Sequence, residues 1–93
     1  MERLSSEAAG KELRTLAGWA MEGSTISKRF DFPSYSQIID FVNHVAEIAS
    51  RKDHHPDMLV KYGSVEVTFT THDAGGLTMA DFDAARAVDA LAT

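Results

Sequence analysis

The sequence predicts an α+β fold of two layers, a four-stranded antiparallel sheet with helices packed on one face, in the order α-β-β-α-β-β-α. Three observations predict it. Apolar residues recur at helical spacing in three stretches, around 9–17, 35–49 and 82–91. Between these stretches the period drops to two, twice, each time about a short polar turn. With 93 residues, 44% of them hydrophobic and 25% charged, the chain makes a single domain over 1–93 with one core.

Ser5 or Ser6 caps the first helix, with Glu7 in its first turn and Ala9, Leu13, Leu16 and Ala17 on one stripe; Gly18 is placed to end it. Trp19 and Met21 then alternate with polar or small neighbours. Glu22-Gly23-Ser24 reads as a turn, and Ile26, Phe30 and Phe32 share one face of a second strand, which Lys28 interrupts.

Pro33-Ser34 stops that strand and starts the longest helix, whose apolar stripe is Tyr35, Ile38, Ile39, Val42, Val45, Ala46 and Ala49, with Phe41 and Ile48 off its centre. So wide a stripe suits packing on two surfaces, one of them another subunit. The helix ends near Arg51-Lys52, because the residue before Pro56 is pushed out of helical geometry. Met58–Tyr62 and Val65–Thr70 form the second hairpin around Gly63-Ser64, with Val65, Val67 and Phe69 on one face. Tyr62 is expected to pack with its hydroxyl bonded. After the Ala74-Gly75-Gly76 turn, Thr78 and Asp81 read as a capping box opening a helix packed through Phe82, Ala85, Val88 and Leu91. The sheet's second face is open unless a partner covers it.

Composition excludes several functions. There is no cysteine, hence no disulfide framework, thiolate metal site or thiol nucleophile, which suits a reducing, cytoplasmic setting. The Met1–Glu7 start lacks the pattern of a signal peptide, and no apolar run approaches the ~20 residues of a membrane span. A net charge of −5 works against nucleic-acid binding, and Lys28-Arg29 and Arg51-Lys52 are too brief to make a basic patch.

Three of the four histidines, His54, His55 and His72, fall within nineteen positions, at the ends of predicted elements. Imidazole exchanges protons near neutral pH without special tuning. Solvated loop residues, metal ligands and an acid/base pair are all open readings. Metal binding, with Asp57 or Asp73 adding a carboxylate, is disfavoured: adjacent histidines on an extended chain project to opposite sides, and no helical His spacing of three or four occurs. A serine hydrolase lacks its Gly-x-Ser-x-Gly elbow. General acid/base chemistry needs two groups straddling a substrate, and His54 and His72, flanking one hairpin, supply them.

At these residues the chain resembles the pterin-4a-carbinolamine dehydratase family. The resemblance is carried by His54-His55-Pro56, five residues to Tyr62, nine more to His72 and eight more to Asp81, within Thr71-His72-Asp73-Ala74-Gly75-Gly76-Leu77. It extends upstream to Gly18-Trp19 and Phe30-Asp31-Phe32. It implies dehydration of a 4a-hydroxytetrahydropterin to the quinonoid dihydropterin, in pterin cofactor recycling, with no metal and no cofactor. His54 and His72 match the acid/base histidines and His55 the histidine that holds the pterin. Asp81, Asp73 and Trp19 are the further candidates for substrate contact; Asp81 has an equal reading as a helix cap and Trp19 an alternative one in the core.

The resemblance also implies a homodimer or homotetramer, formed through the sheet edge and the long helix. Some relatives act instead as partners of other proteins, among them a homeodomain transcription factor and assembly factors for a carbon-fixing enzyme. Two positions depart from the family pattern. Ser50 stands four residues before the first histidine, where many members carry a carboxylate, leaving Glu47 and Asp53 as the nearest acids, neither in register. Met58 stands where an aromatic residue is common. These departures raise an alternative, a catalytically impaired relative acting as a binding or assembly partner.

Overall fold

The computed structural model describes residues 2–92 and contains the elements in the predicted order. Helix α1 spans Ser6–Leu13, strands β1 and β2 Ala20–Glu22 and Thr25–Asp31, helix α2 Tyr35–Lys52, strands β3 and β4 Asp57–Val60 and Ser64–Phe69, and helix α3 Met79–Ala92. A single 3-10 turn, His72–Ala74, links β4 to α3. The four strands pair antiparallel in the order β1-β2-β4-β3, so the β2-α2-β3 crossover leaves room for β4 between its two strands. That places the ends of α2 and β4, and the histidines just beyond them, side by side.

The core lies between the sheet and the helices. Ile26 and Phe30 of β2 and Val65, Val67 and Phe69 of β4 face Ile38, Phe41 and Val45 of α2 and Phe82, Ala85 and Val88 of α3. Fully buried side chains such as Ile38, Val67 and Phe82 each stabilise the fold by about 1.5–3 kcal/mol. The opposite sheet face is polar: Ser27 and Thr68 meet there hydroxyl to hydroxyl at 3.0 Å, and Arg29 stands opposite Glu66.

Several boundaries differ from the sequence reading. Helix α1 ends at Leu13, not at Gly18, because the Thr15 hydroxyl donates to the Glu12 carbonyl and Thr15 and Leu16 make tight i to i−3 backbone bonds. Gly18 instead takes a left-handed conformation (φ 85°) in the turn before β1, where a Cβ would meet Lys28 Cε at 2.9 Å. The close approach explains Lys28's place on an apolar strand face. Its stem runs past Gly18, and its ammonium lies over the Phe30 ring, 5.0 Å from the centroid, and donates to the Ala17 carbonyl and to Asp89.

The buried stripe of α2 is rotated from the predicted one. Phe41 and Ile48 join Ile38, Val45 and Ala49 in the core, while Tyr35 and Ala46 are exposed, because the sheet and α3 together wrap α2 from the Phe41 side. Strand β3 stops at Val60, two residues short of Tyr62, because Lys61 N–H already donates to the Ser64 carbonyl and closes the turn. Tyr62 is therefore 88% exposed, not packed in the core, and its ring stacks on Tyr35. Phe32 lies just past β2 and packs on Phe41. Leu91, expected in the core, is exposed near the end of α3.

Candidate active site

His54 is held from three directions. Its backbone ends α2: Asp53 adopts the left-handed conformation (φ 50°), Asp53 N–H donates to the Ser50 carbonyl and His54 N–H to Ala49, a Schellman motif with an aspartate at the position glycine usually takes. Its ring stacks on Phe69, 5.8 Å between centroids and 9° from parallel. Its edge meets Asp81, Nε2 to Oδ1 at 2.6 Å. Backbone, face and edge fix the ring in one orientation, with 13% of the side chain left exposed.

Asp81 is completely buried. Oδ1 meets His54 Nε2; Oδ2 accepts from the Thr71 hydroxyl at 2.8 Å and from Thr78 N–H at 2.9 Å. Thr78 Oγ1 in turn accepts from Ala80 N–H, so Thr78 and Asp81 cap α3 reciprocally as the sequence spacing anticipates. The cap and the histidine contact are two oxygens of one carboxylate. A carboxylate accepting from Nε2 requires the ring proton there and leaves Nδ1 as the nitrogen without a partner among the described residues.

The His72 side follows from the loop after β4. Thr71 O accepts from Ala74 N–H and Gly76 N–H, His72 O from Gly75 N–H, and Gly75 takes a left-handed conformation (φ 72°). The tight turn projects His72 and Asp73 to the surface beside the α2 terminus. Asp53, His54, His55, Thr70, Thr71, His72 and Asp73 thus line one open cleft of about 190 Å³. Two roomier hollows, of about 300 and 370 Å³, gather no histidine.

Of the residues singled out in the sequence, the structure brings His54, His55, His72 and Asp73 to this cleft, with Asp81 directly behind His54. Trp19 does not line it. The indole is buried against Phe30 and Phe69, and its N–H donates to both oxygens of Asp89. Of the acids, neither Glu47 nor Asp53 but Asp81, from the other end of the chain, meets the first histidine. Thr71 and Phe69 escaped the sequence reading. Phe69 was legible only as core, and Thr71 only as part of a motif. Among the described residues no three His, Asp or Glu side chains converge as metal ligands would, and no helix is long and apolar enough to cross a membrane.

Comparison with known proteins identifies a family. The model of the family described as Pterin 4 alpha carbinolamine dehydratase matches residues 2–91. A Bradyrhizobium protein (strain ORS 278), provisionally named a pterin-4-alpha-carbinolamine dehydratase, is 48% identical over 99% of this chain and 94% of its own. A protein of the same provisional name from Sulfurisphaera tokodaii is 39% identical over the whole of both chains. Among solved structures, a transcriptional coactivator/pterin dehydratase from Brucella melitensis superposes with a TM-score of 0.94 at 33% identity, over 99% of this chain and 100% of that one. A pterin dehydratase-like protein described as a RuBisCO assembly factor in the alpha-carboxysome superposes with a TM-score of 0.65 at 28% identity, over 80% and 86%.

Proposed function

The chain belongs to the pterin 4 alpha carbinolamine dehydratase family, and we propose that it removes water from a 4a-hydroxytetrahydropterin to give the quinonoid dihydropterin, with His54 and His72 as its acid/base pair. The reaction consumes one proton at the C4a hydroxyl, which leaves as water, and releases one from the neighbouring ring nitrogen, where the new C=N bond forms. One imidazole on each side of the ring serves both transfers, and the enzyme ends with the protons it began with. His55 and Asp73, on the cleft wall, hold the pterin. Trp19 has no part in this reading: it lies in the core, tied to Asp89.

The observation that carries this reading is the His54–Asp81 contact in the cleft that His72 also lines. A surface histidine needs no buried carboxylate; one that must present a single nitrogen in a fixed direction does. The setting proposed is cytoplasmic pterin recycling by a homodimer or homotetramer, and the incompletely buried Ile39 and Val42 on α2 support self-association. The test is dehydration of freshly generated 4a-hydroxytetrahydropterin. A rate no faster than the spontaneous one overturns the proposal, as does a His72→Ala protein of undiminished activity.

A second reading, that the chain binds or assembles another protein, draws on the similarity to the RuBisCO assembly factor and on Ser50 and Met58. Co-purification at native concentration tests it: a partner other than a second copy supports it, and none counts against it.

A further inference from the structure

We propose that Thr71 and Thr78 are positioning residues that keep a proton on His54 Nε2 and so make Nδ1 the nitrogen that meets the substrate; the catalytic part of this inference rests on the acid/base reading of His54 above. The direction of every hydrogen bond behind His54 follows from counting donors. Ala80 N–H donates to Thr78 Oγ1. Thr71 Oγ1 and Thr78 Oγ1 lie 3.0 Å apart, and the single hydroxyl proton of Thr71 is spent on Asp81 Oδ2 at 2.8 Å. Thr78 is therefore the donor to Thr71. The chain runs one way, from the first turn of α3 through two hydroxyls into the carboxylate.

Asp81 Oδ2 thus receives two donors, Thr71 Oγ1–H and Thr78 N–H, and has no place for a proton of its own. One proton remains to be placed, on the 2.6 Å line between Asp81 Oδ1 and His54 Nε2. On Nε2, it leaves Nδ1 of the neutral ring able to accept a proton from a bound pterin and later return one. The competing arrangement takes up a second proton from solvent, leaving Asp81 neutral with its proton on Oδ1 and the neutral ring with its proton at Nδ1, and His54 then cannot act as a base toward the cleft. Hydrogen bonds donated to an ionised carboxylate are stronger than those donated to its neutral acid, so each donor on Oδ2 weights the balance toward Nε2.

The Thr71 link is not needed to cap α3. Thr78 N–H and Ala80 N–H already find their partners within the first turn, whereas Thr71 comes from the end of the sheet and lines the cleft itself. Its hydroxyl reaches back from the cleft wall into a fully buried carboxylate.

The test is Thr71→Val, close to isosteric, read by ¹⁵N resonances of the histidine rings and by kinetics on 4a-hydroxytetrahydropterin. Wild-type His54, in its neutral form, is expected to show the Nε2–H tautomer, and Thr71→Val to shift it toward Nδ1–H. The expected kcat loss is about tenfold with KM little changed, the scale of removing an outer partner that orients an imidazole. Thr71→Ser restores both signals. Thr78→Val, which removes the contacts to Ala80 N–H and to Thr71 Oγ1 but leaves the Thr71 bond to Asp81, moves them the same way by less, and carries the test if Thr71→Val does not fold. An unmoved His54 tautomer in the folded variant, or a Thr71→Ser protein as slow as Thr71→Val, overturns the proposal. A wild-type protein inactive in dehydration whose tautomer still shifts in Thr71→Val overturns the proposed function and upholds the positioning role.

Discussion

Of the three carboxylates on helix α3, Asp81 and Asp89 each fasten a residue from a distant part of the chain, and they differ in what they fasten. Asp89 accepts from the Trp19 indole and from the Lys28 ammonium, two groups that are always donors, and its side chain is 26% exposed. Asp81 accepts from His54, a group that can hold or give up its proton, and it is fully shielded from water. A carboxylate among fixed donors makes a clasp; the same carboxylate against an imidazole governs which ring nitrogen carries a proton. Burial sharpens the contrast, because water reaching Asp89 competes with its partners and nothing competes at Asp81.

The contrast breaks most visibly at the histidines. His54→Ala and His72→Ala should each lower kcat about 10²–10⁴-fold, the usual worth of a general acid or base, with the folded circular-dichroism spectrum retained. Next in size is Asp81→Asn, which keeps the shape but presents an amide donor or a neutral oxygen to His54. A kcat loss of about 10–100-fold is expected, together with a loss of about 1–3 kcal/mol in denaturant stability as buried donors lose an ionised acceptor.

Asp89→Asn should separate the two ends of the helix: stability falls by no more than about 1 kcal/mol, since the ion pair is partly exposed, and kcat stays at the wild-type value. A large kcat loss in Asp89→Asn would erase the distinction drawn between them. The smallest effect is expected for Ser50→Glu. With Nε2 already engaged by Asp81, an added surface carboxylate should change kcat by no more than about twofold, the scale of an exposed substitution. A large gain would show that His54 lacks a charge that Asp81 does not supply.

Much of the architecture was legible because periodicity reports which face of an element is dry. The alternation of Val65, Val67 and Phe69 and the helical spacing of Phe82, Ala85 and Val88 both describe buried faces. Where two surfaces competed for one helix, periodicity misled: the α2 stripe centres nearer Phe41 and Ile48 because the sheet and α3 meet it together. The limits of α1 and β3 were missed for a local reason, a threonine hydroxyl in one case and a tight turn in the other.

The site divides in the same way. The histidines, the Pro56 stop and the Thr78–Asp81 cap are local patterns, and spacing along the chain is enough to read them. The carboxylate opposite His54 is not local. Asp81 lies 27 positions from His54 in sequence, and Trp19 lies 70 from Asp89. No spacing rule pairs such residues, because their meeting depends on how α3 lies against α2 and β4 once the core has packed. Local propensity and periodicity select the elements and the reactive side chains; packing selects which carboxylate each of them meets, and here it gave the histidine the buried one.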